Sequence, residues 1–264
     1  LRIWAGASQT PEQIATVLKR LTNSAAQIQD QAGYHLLLGT MLWRHNELDA
    51  AEQALKTAQK LAPTNSQIGI TLGDFYRAKK ETDLAEKEFA AVTDVTPTNA
   101  TALFKIAELK RTSGDLEKSK ELLEQILQEN PDYRNAQFRL AQIEAAEGHY
   151  DKAQEKINLI TAKSPDDIPT LELQAKLYLV KGETTNAISA LQKYSERYGK
   201  VFPQFHYLLS LAYLQGRDTL KALDTVGNAV KAAKDLNPTN EFLQANLLLS
   251  ELNLRTGKLP EAVE

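Results

Sequence analysis

LAPTNSQIGITLGDFY, residues 61–76, couples a Pro-Thr-Asn triplet to a run whose apolar residues Ile68, Leu72, Phe75 and Tyr76 fall three and four apart. That spacing marks one face of a helix. The same coupling returns as VTPTNATALFKIAELK at 95–110 and LNPTNEFLQANLLLSEL at 236–252. Between them stand ENPDYRNAQFRLAQIE at 129–144 and KSPDDIPTLELQAKLY at 163–178. A joint that returns with its helix attached is architecture.

The interval is constant. Pro63, Pro97, Pro131 and Pro165 are each 34 residues apart. In step with them run Ala51, Ala85, Ser119, Ala153 and Ala187, with Ala222 following after 35. A third series is Leu38, Leu72, Ile106 and Leu140, beside the small residues Gly39, Gly73, Ala107, Ala141, Ala175 and Ser210. Three independent series sharing one period define an internal repeat.

Each period reads as two helices. The first, for instance residues 67–77, ends at a break that often holds glycine: SGDLEKS at 113–119, EGHYDKA at 147–153, KGETTNA at 181–187. Gly114, Gly148 and Gly182 are placed to take the left-handed conformation that closes a helix. The second helix, for instance 116–129, is stopped by the next proline, and the Asp or Asn that follows can cap the next helix. Small residues let paired backbones approach closely. One hairpin cannot bury its apolar face alone, so neighbours must stack. Ala, Leu, Glu, Lys and Gln dominate and strand signals are poor, which makes the class all-α.

A 34-residue helix–turn–helix with these small, large and proline positions resembles the tetratricopeptide repeat family, in the style of its long bacterial multi-repeat members. The resemblance implies an α-solenoid of stacked antiparallel hairpins, a right-handed superhelix whose concave side is lined by the first helices. Repeats are expected at 32–65, 66–99, 100–133, 134–167, 168–202 and 203–238, with a partial one at 242–264. Residues 1–31 read as an N-terminal helical cap or half-repeat. There Thr10-Pro11-Glu12-Gln13 has the form of an N-cap, a first-turn proline and a capping-box glutamine, opening a helix through about Thr22. His35, Gly69, Leu103, Gln137, Leu171 and His206 stand where the family often has tryptophan.

The bulk numbers exclude several functions. The 264 residues are 42% hydrophobic and 25% charged, with a net charge of −3. A field this weak disfavours binding to nucleic acid, and no run is apolar enough to span a bilayer. Without cysteine there is neither a disulfide nor a thiolate metal site. No phosphate-binding glycine loop or nucleophile elbow occurs. The histidines, His35, His45, His149 and His206, form no His-x-x-x-His pair. His35 and His206 fall in packing slots, and His149 in a solvated turn. Carboxylates such as Glu117, Glu121 and Glu124 read as a wet helix face. Asn99-Ala100-Thr101 matches a glycosylation acceptor. The reading is therefore a non-enzymatic chain with no cofactor and no metal.

What remains is binding of a protein or peptide partner. The resemblance places Leu36, Thr40 and Trp43 on the concave side, then Ile70, Asp74 and Arg77, then Phe104, Glu108 and Arg111, followed by Phe138, Gln142, Glu172, Lys176, Tyr207 and Leu211. The candidate partner-binding residues are Trp43, Arg77, Phe104, Arg111, Phe138, Gln142, Lys176 and Tyr207, with Trp43 expected as an exposed indole. Leu36 and Thr40 stand where chaperone-docking relatives place the Lys and Asn of a carboxylate clamp. Leu37, Thr71, Lys105, Arg139 and Leu173 stand where glycosyltransferase-linked segments carry an asparagine ladder. Neither specialisation is supported. The long bacterial relatives imply envelope or export assembly. The alternatives are a structural spacer, an oligomerisation module, or a segment of an enzyme whose catalytic domain lies elsewhere. The chain begins at Leu1 rather than Met and reads as part of something longer. Its seventh repeat, cut within the second helix, is expected to leave an apolar face near Leu247, Leu248 and Leu254, covered by a second copy, a rearranged tail or residues beyond Glu264.

Overall fold

The structure, a computed structural model, describes residues 10, 12–13, 15–17, 19–20, 31–236 and 242–257. It is helical, with no strand among the described residues. Two compact units divide the chain, one ending at Ala136 and the other starting at Gln137.

The first unit holds three hairpins: α1 (Ala32–Arg44) with α2 (Leu48–Leu61), α3 (Ser66–Ala78) with α4 (Thr82–Val95), and α5 (Ala100–Thr112) with α6 (Leu116–Glu129). The second unit begins in the first turn of α7 (Arg134–Ala146) and continues with α8 (Tyr150–Lys163), α9 (Ile168–Val180) and α10 (Thr184–Tyr198). It ends with α11 (Gln204–Gln215), α12 (Thr219–Leu236) and α13 (Leu243–Arg255). The lengthened second helix expected toward Pro238 is α12, followed to Leu236; residues 237–241 lie outside the described set.

Local chemistry sets each boundary. Ala62, Thr96, Asn130 and Ser164 each precede a proline, and each leaves the helix with φ between −133° and −144°. The proline ring forbids the α conformation to the residue before it, so the second helices end there. Two residues past the proline, Asn65, Asn99 and Asp167 accept hydrogen bonds from Gln67 N, Ala102 N and Thr170 N at 3.0–3.1 Å. The capping side chain foreseen at these joints is therefore in place. Asn99, the glycosylation match, is engaged as a cap.

The turns inside the hairpins obey one rule, of which sequence reading caught half. Gly114, Gly148, Gly182 and Gly257 have positive φ, and so do Asn46, Lys80 and Arg217 at the same register. The next amide then reaches back five residues, as in Glu47 N to Leu42 O at 2.9 Å and Asp218 N to Tyr213 O at 2.8 Å. This is the Schellman closure.

Close approach explains the small residues. A Cβ on Gly39 would lie 2.7 Å from Leu55 Cγ, and one on Gly73 2.4 Å from Phe89 Cε1. Around these contacts Ala51, Leu55, Leu72, Phe75, Ala85 and Phe89 form the core of the first unit. The core of the second gathers Leu171, Leu191, Phe205, Leu209, Val226 and Leu252. The irregular joint at Val201-Phe202-Pro203 has its own glycine. A Cβ on Gly199 would lie 2.3 Å from His206 Nε2, so only glycine lets the histidine ring fill that slot. His206 is half-buried, and loss of water lowers its pKa.

At the N-terminus the expected capping box is formed. Thr10 Oγ1 accepts from Gln13 N at 3.2 Å, and Gln13 Oε1 accepts from Thr10 N at 3.1 Å. The described residues 12–20 are helical; the expected end near Thr22 lies outside the described set. No helix among the described residues is long and apolar enough to cross a membrane.

Candidate partner-binding face

The first helices of the first unit, α1, α3 and α5, stand side by side. Trp43 of α1 meets Phe75 of α3 edge-on at 5.5 Å. Lys105 of α5 reaches both carboxylate oxygens of Asp74 on α3, at 2.8 and 3.0 Å. Residues one turn apart on neighbouring helices thus share one surface.

That surface differs from the expectation at two places. The Trp43 indole is half-buried, because Phe75 and the core beneath it take one side of the ring. Ile70 is only 8% exposed and packs against Val92 and Ala102 as part of a small core cluster. Phe104 is half-buried and tilted against Tyr133, centroids 6.0 Å apart. Arg77 is exposed, with long contacts of 3.4 Å from Nε and Nη2 to Asp74 Oδ1. Arg111, half-exposed, makes similar contacts of 3.3 and 3.5 Å to Glu108.

In the second unit, Phe138 and Tyr207 are half-buried, and Tyr207 lies 5.4 Å from the ring of Phe242. Gln142 accepts from Arg139 Nη1 on its own helix, and Lys176 pairs with Glu172. Gln204 Nε2 donates to Glu172 at 3.4 Å, tying α9 to α11. Leu247 and Leu254 on α13 are exposed, at 62% and 54%, while Leu248 is half-buried against the core. The expected cover for this face falls on residues after Gly257, outside the described set.

One group of ligating side chains gathers among the described residues. Glu144, Glu147 and His149 bring their donor atoms within 4.8 Å of one another. His149 Nδ1 sits 2.8 Å from Glu144 Oε2 and 3.4 Å from Glu147 Oε2, so imidazole and carboxylates satisfy one another. His149 is half-exposed, as its turn position suggested.

A charged network pins the far side of the same hairpins. Glu52 on α2 accepts from Lys56 at 2.7 Å, Lys79 at 2.9 Å and Tyr76 OH at 3.1 Å. Lys56 first, then Lys79, hold the Glu52 carboxyl down at about 2. Lys79 also stands 5.4 Å over the Phe75 ring. Spacing announces only the Glu52–Lys56 pair, four apart on α2; Tyr76 and Lys79 join it from α3 and its C-cap.

Two tetratricopeptide repeat family models match the chain, one over residues 111–177 and the other over residues 14–66 and 173–238. Solved structures agree in architecture. A tetratricopeptide repeat protein from Parabacteroides merdae superposes with a TM-score of 0.68 at 16% identity, over 89% of this chain and 90% of that one. PilW, a widely conserved type IV pilus biogenesis factor, gives 0.66 at 17% identity over 81% of this chain and 96% of its own. The Cut9–Hcn1 hetero-tetramer of APC/C gives 0.66 at 13% identity, over 92% of this chain and 48% of that one. At such identities the likeness establishes the fold, an α-solenoid, and nothing finer. No curated protein matches the sequence.

Proposed function

The chain belongs to the tetratricopeptide repeat family, and on that premise we propose that it is a non-catalytic scaffold that holds a partner's peptide or helix on the face of its first helices. Repeats of this family generally mediate protein–protein interaction. The observation that supports the placement is the continuous surface of α1, α3 and α5, where the Asp74–Lys105 ion pair joins adjacent hairpins. A partner lying across it touches several repeats at once, which is how short contacts sum to useful affinity. The contact residues in this reading are Trp43, Arg77, Phe104 and Arg111, with Phe138, Gln142, Lys176 and Tyr207 in the second unit. Trp43 and Tyr207 serve as half-buried anchors, rigid because each leans on a neighbouring ring. A bacterial envelope or export assembly is the setting that the long repeat relatives suggest.

The test is a photo-crosslinking residue placed at Thr101, exposed on α5, or at Lys87, exposed on α4, followed by exposure to a native extract. A protein adduct from Thr101 and none from Lys87 is expected. Equal adducts would move binding off the first-helix face. None at either position would leave a structural spacer.

A further inference from the structure

We infer that the first unit recognises an acidic segment, one whose carboxylate side chains are two or three residues apart. This rests on the scaffold reading above and names the chemistry of its partner.

Three cations and two anions stand on the α1–α3–α5 face: Arg77, Lys105 and Arg111 against Asp74 and Glu108. The face is thus positive on a chain whose net charge is −3. Complementing the helix dipole does not explain the placement. The last turns of α1, α3 and α5 all carry a basic residue, whereas those of α7, α9 and α11 carry none. The same fold closes its helices without them.

The guanidiniums of exposed Arg77 and half-exposed Arg111 are poorly matched inside the protein. Asp74 gives its short bonds, 2.8 and 3.0 Å, to Lys105, and leaves Arg77 contacts of 3.4 Å. Arg111 reaches Glu108 at 3.3 and 3.5 Å. These exceed the usual N–H···O range, and each guanidinium has five donors in a planar fork. A carboxylate arriving from a partner can take a bidentate bond without displacing anything. Arg77 and Arg111 occupy one register on adjacent helices, 34 residues apart in sequence. Neighbouring helix axes are about 8–10 Å apart and an extended chain advances about 3.3 Å per residue, which sets the spacing at two or three residues. The half-buried rings of Trp43 and Phe104 flank this pair and suit an apolar residue beside the acidic ones.

The experiment selects from a displayed library of random sixteen-residue peptides on the whole chain and on an Arg77→Gln/Arg111→Gln variant. Both replacements lie at the surface, and an unchanged thermal melt confirms the fold. Lys152→Gln, exposed on α8, serves as the control. The expected result is enrichment of Asp or Glu pairs spaced by two or three. Affinity for the selected peptides should fall at least tenfold in the double variant and stay unchanged in the control. Arg77→Lys should recover part of the loss, because an ammonium cannot form the bidentate pair. Peptides enriched without acidic pairs would overturn the inference while leaving the scaffold reading standing. No enrichment at all would overturn both.

Discussion

Replacing Gly73 with alanine tests the packing that brings α3 against α4. A Cβ there would lie 2.4 Å from Phe89 Cε1 and 2.7 Å from Cδ1. Phe89 is fully buried, so its ring has nowhere to swing. Two effects oppose each other. Alanine in a helix interior is favoured over glycine by about 1 kcal/mol, while overpacking a core costs about 1–3 kcal/mol. Contact this short with a rigid ring belongs at the upper end, so the net loss should be about 1–2 kcal/mol. Register-equivalent slots hold alanine at Ala107, Ala141 and Ala175, where the facing register is Leu123, Ile157 and Leu191. At those three slots an aliphatic side chain leaves room for a Cβ, which Phe89 does not leave at Gly73, nor Leu55 at Gly39. In a Phe89→Leu background, Gly73→Ala should cost at least about 1 kcal/mol less than in the parent. Urea unfolding read by Trp43 fluorescence suits the assay, because its indole leans on Phe75 in the same cluster. Trp4→Phe leaves Trp43 as the sole reporter. Additive losses in the double variant would refute the steric account.

Lys80→Gly and Arg217→Gly should each stabilise the chain by about 1 kcal/mol, since both hold φ above 60° without glycine's freedom; thermal melts decide, and a loss would refute it. Ser119→Ala should raise stability by about 1 kcal/mol, because the buried hydroxyl has no hydrogen-bond partner and alanine fills its slot in five other hairpins; denaturant midpoints measure it. Glu52 carries a pH dependence of definite sign. Its carboxyl is depressed from 4.5 to about 2 in the fold, so its contribution is present above pH 4.5 and is lost as pH falls toward 2. Melting temperatures across that window should fall less steeply in Glu52→Gln, and parallel slopes would show that the Lys56–Glu52–Lys79 network does not contribute.

The helices and joints were legible in one dimension because their causes are local. Proline acts on the residue before it, Asn caps an amide two or three residues on, and a small residue advertises close packing by recurring. Asn46, Lys80 and Arg217 escaped because the left-handed turn was sought through glycine, although the register of Gly114 already pointed to them. The candidate face was legible by position and less so by exposure. Register placed Trp43 and Ile70 on the surface, but how far each sinks depends on side chains one repeat away: Phe75 under the indole, Val92 and Ala102 around the isoleucine. The same holds for Asp74, whose choice of Lys105 over Arg77 is a contest between helices that no spacing rule decides. The division at Ala136 and Gln137 has no mark in the sequence at all, since the period runs across it unbroken.

Among the described residues, the helix pairs in substantial contact are neighbours or next-but-one neighbours along the chain. Vectorial synthesis can exploit this. A hairpin emerging from the ribosome finds the preceding hairpin already made, and only its other face waits for the next one. At rates of about 5–20 residues per second, a 34-residue hairpin appears every few seconds, long after helix formation is complete. Each completed hairpin is then the template on which the next is laid down.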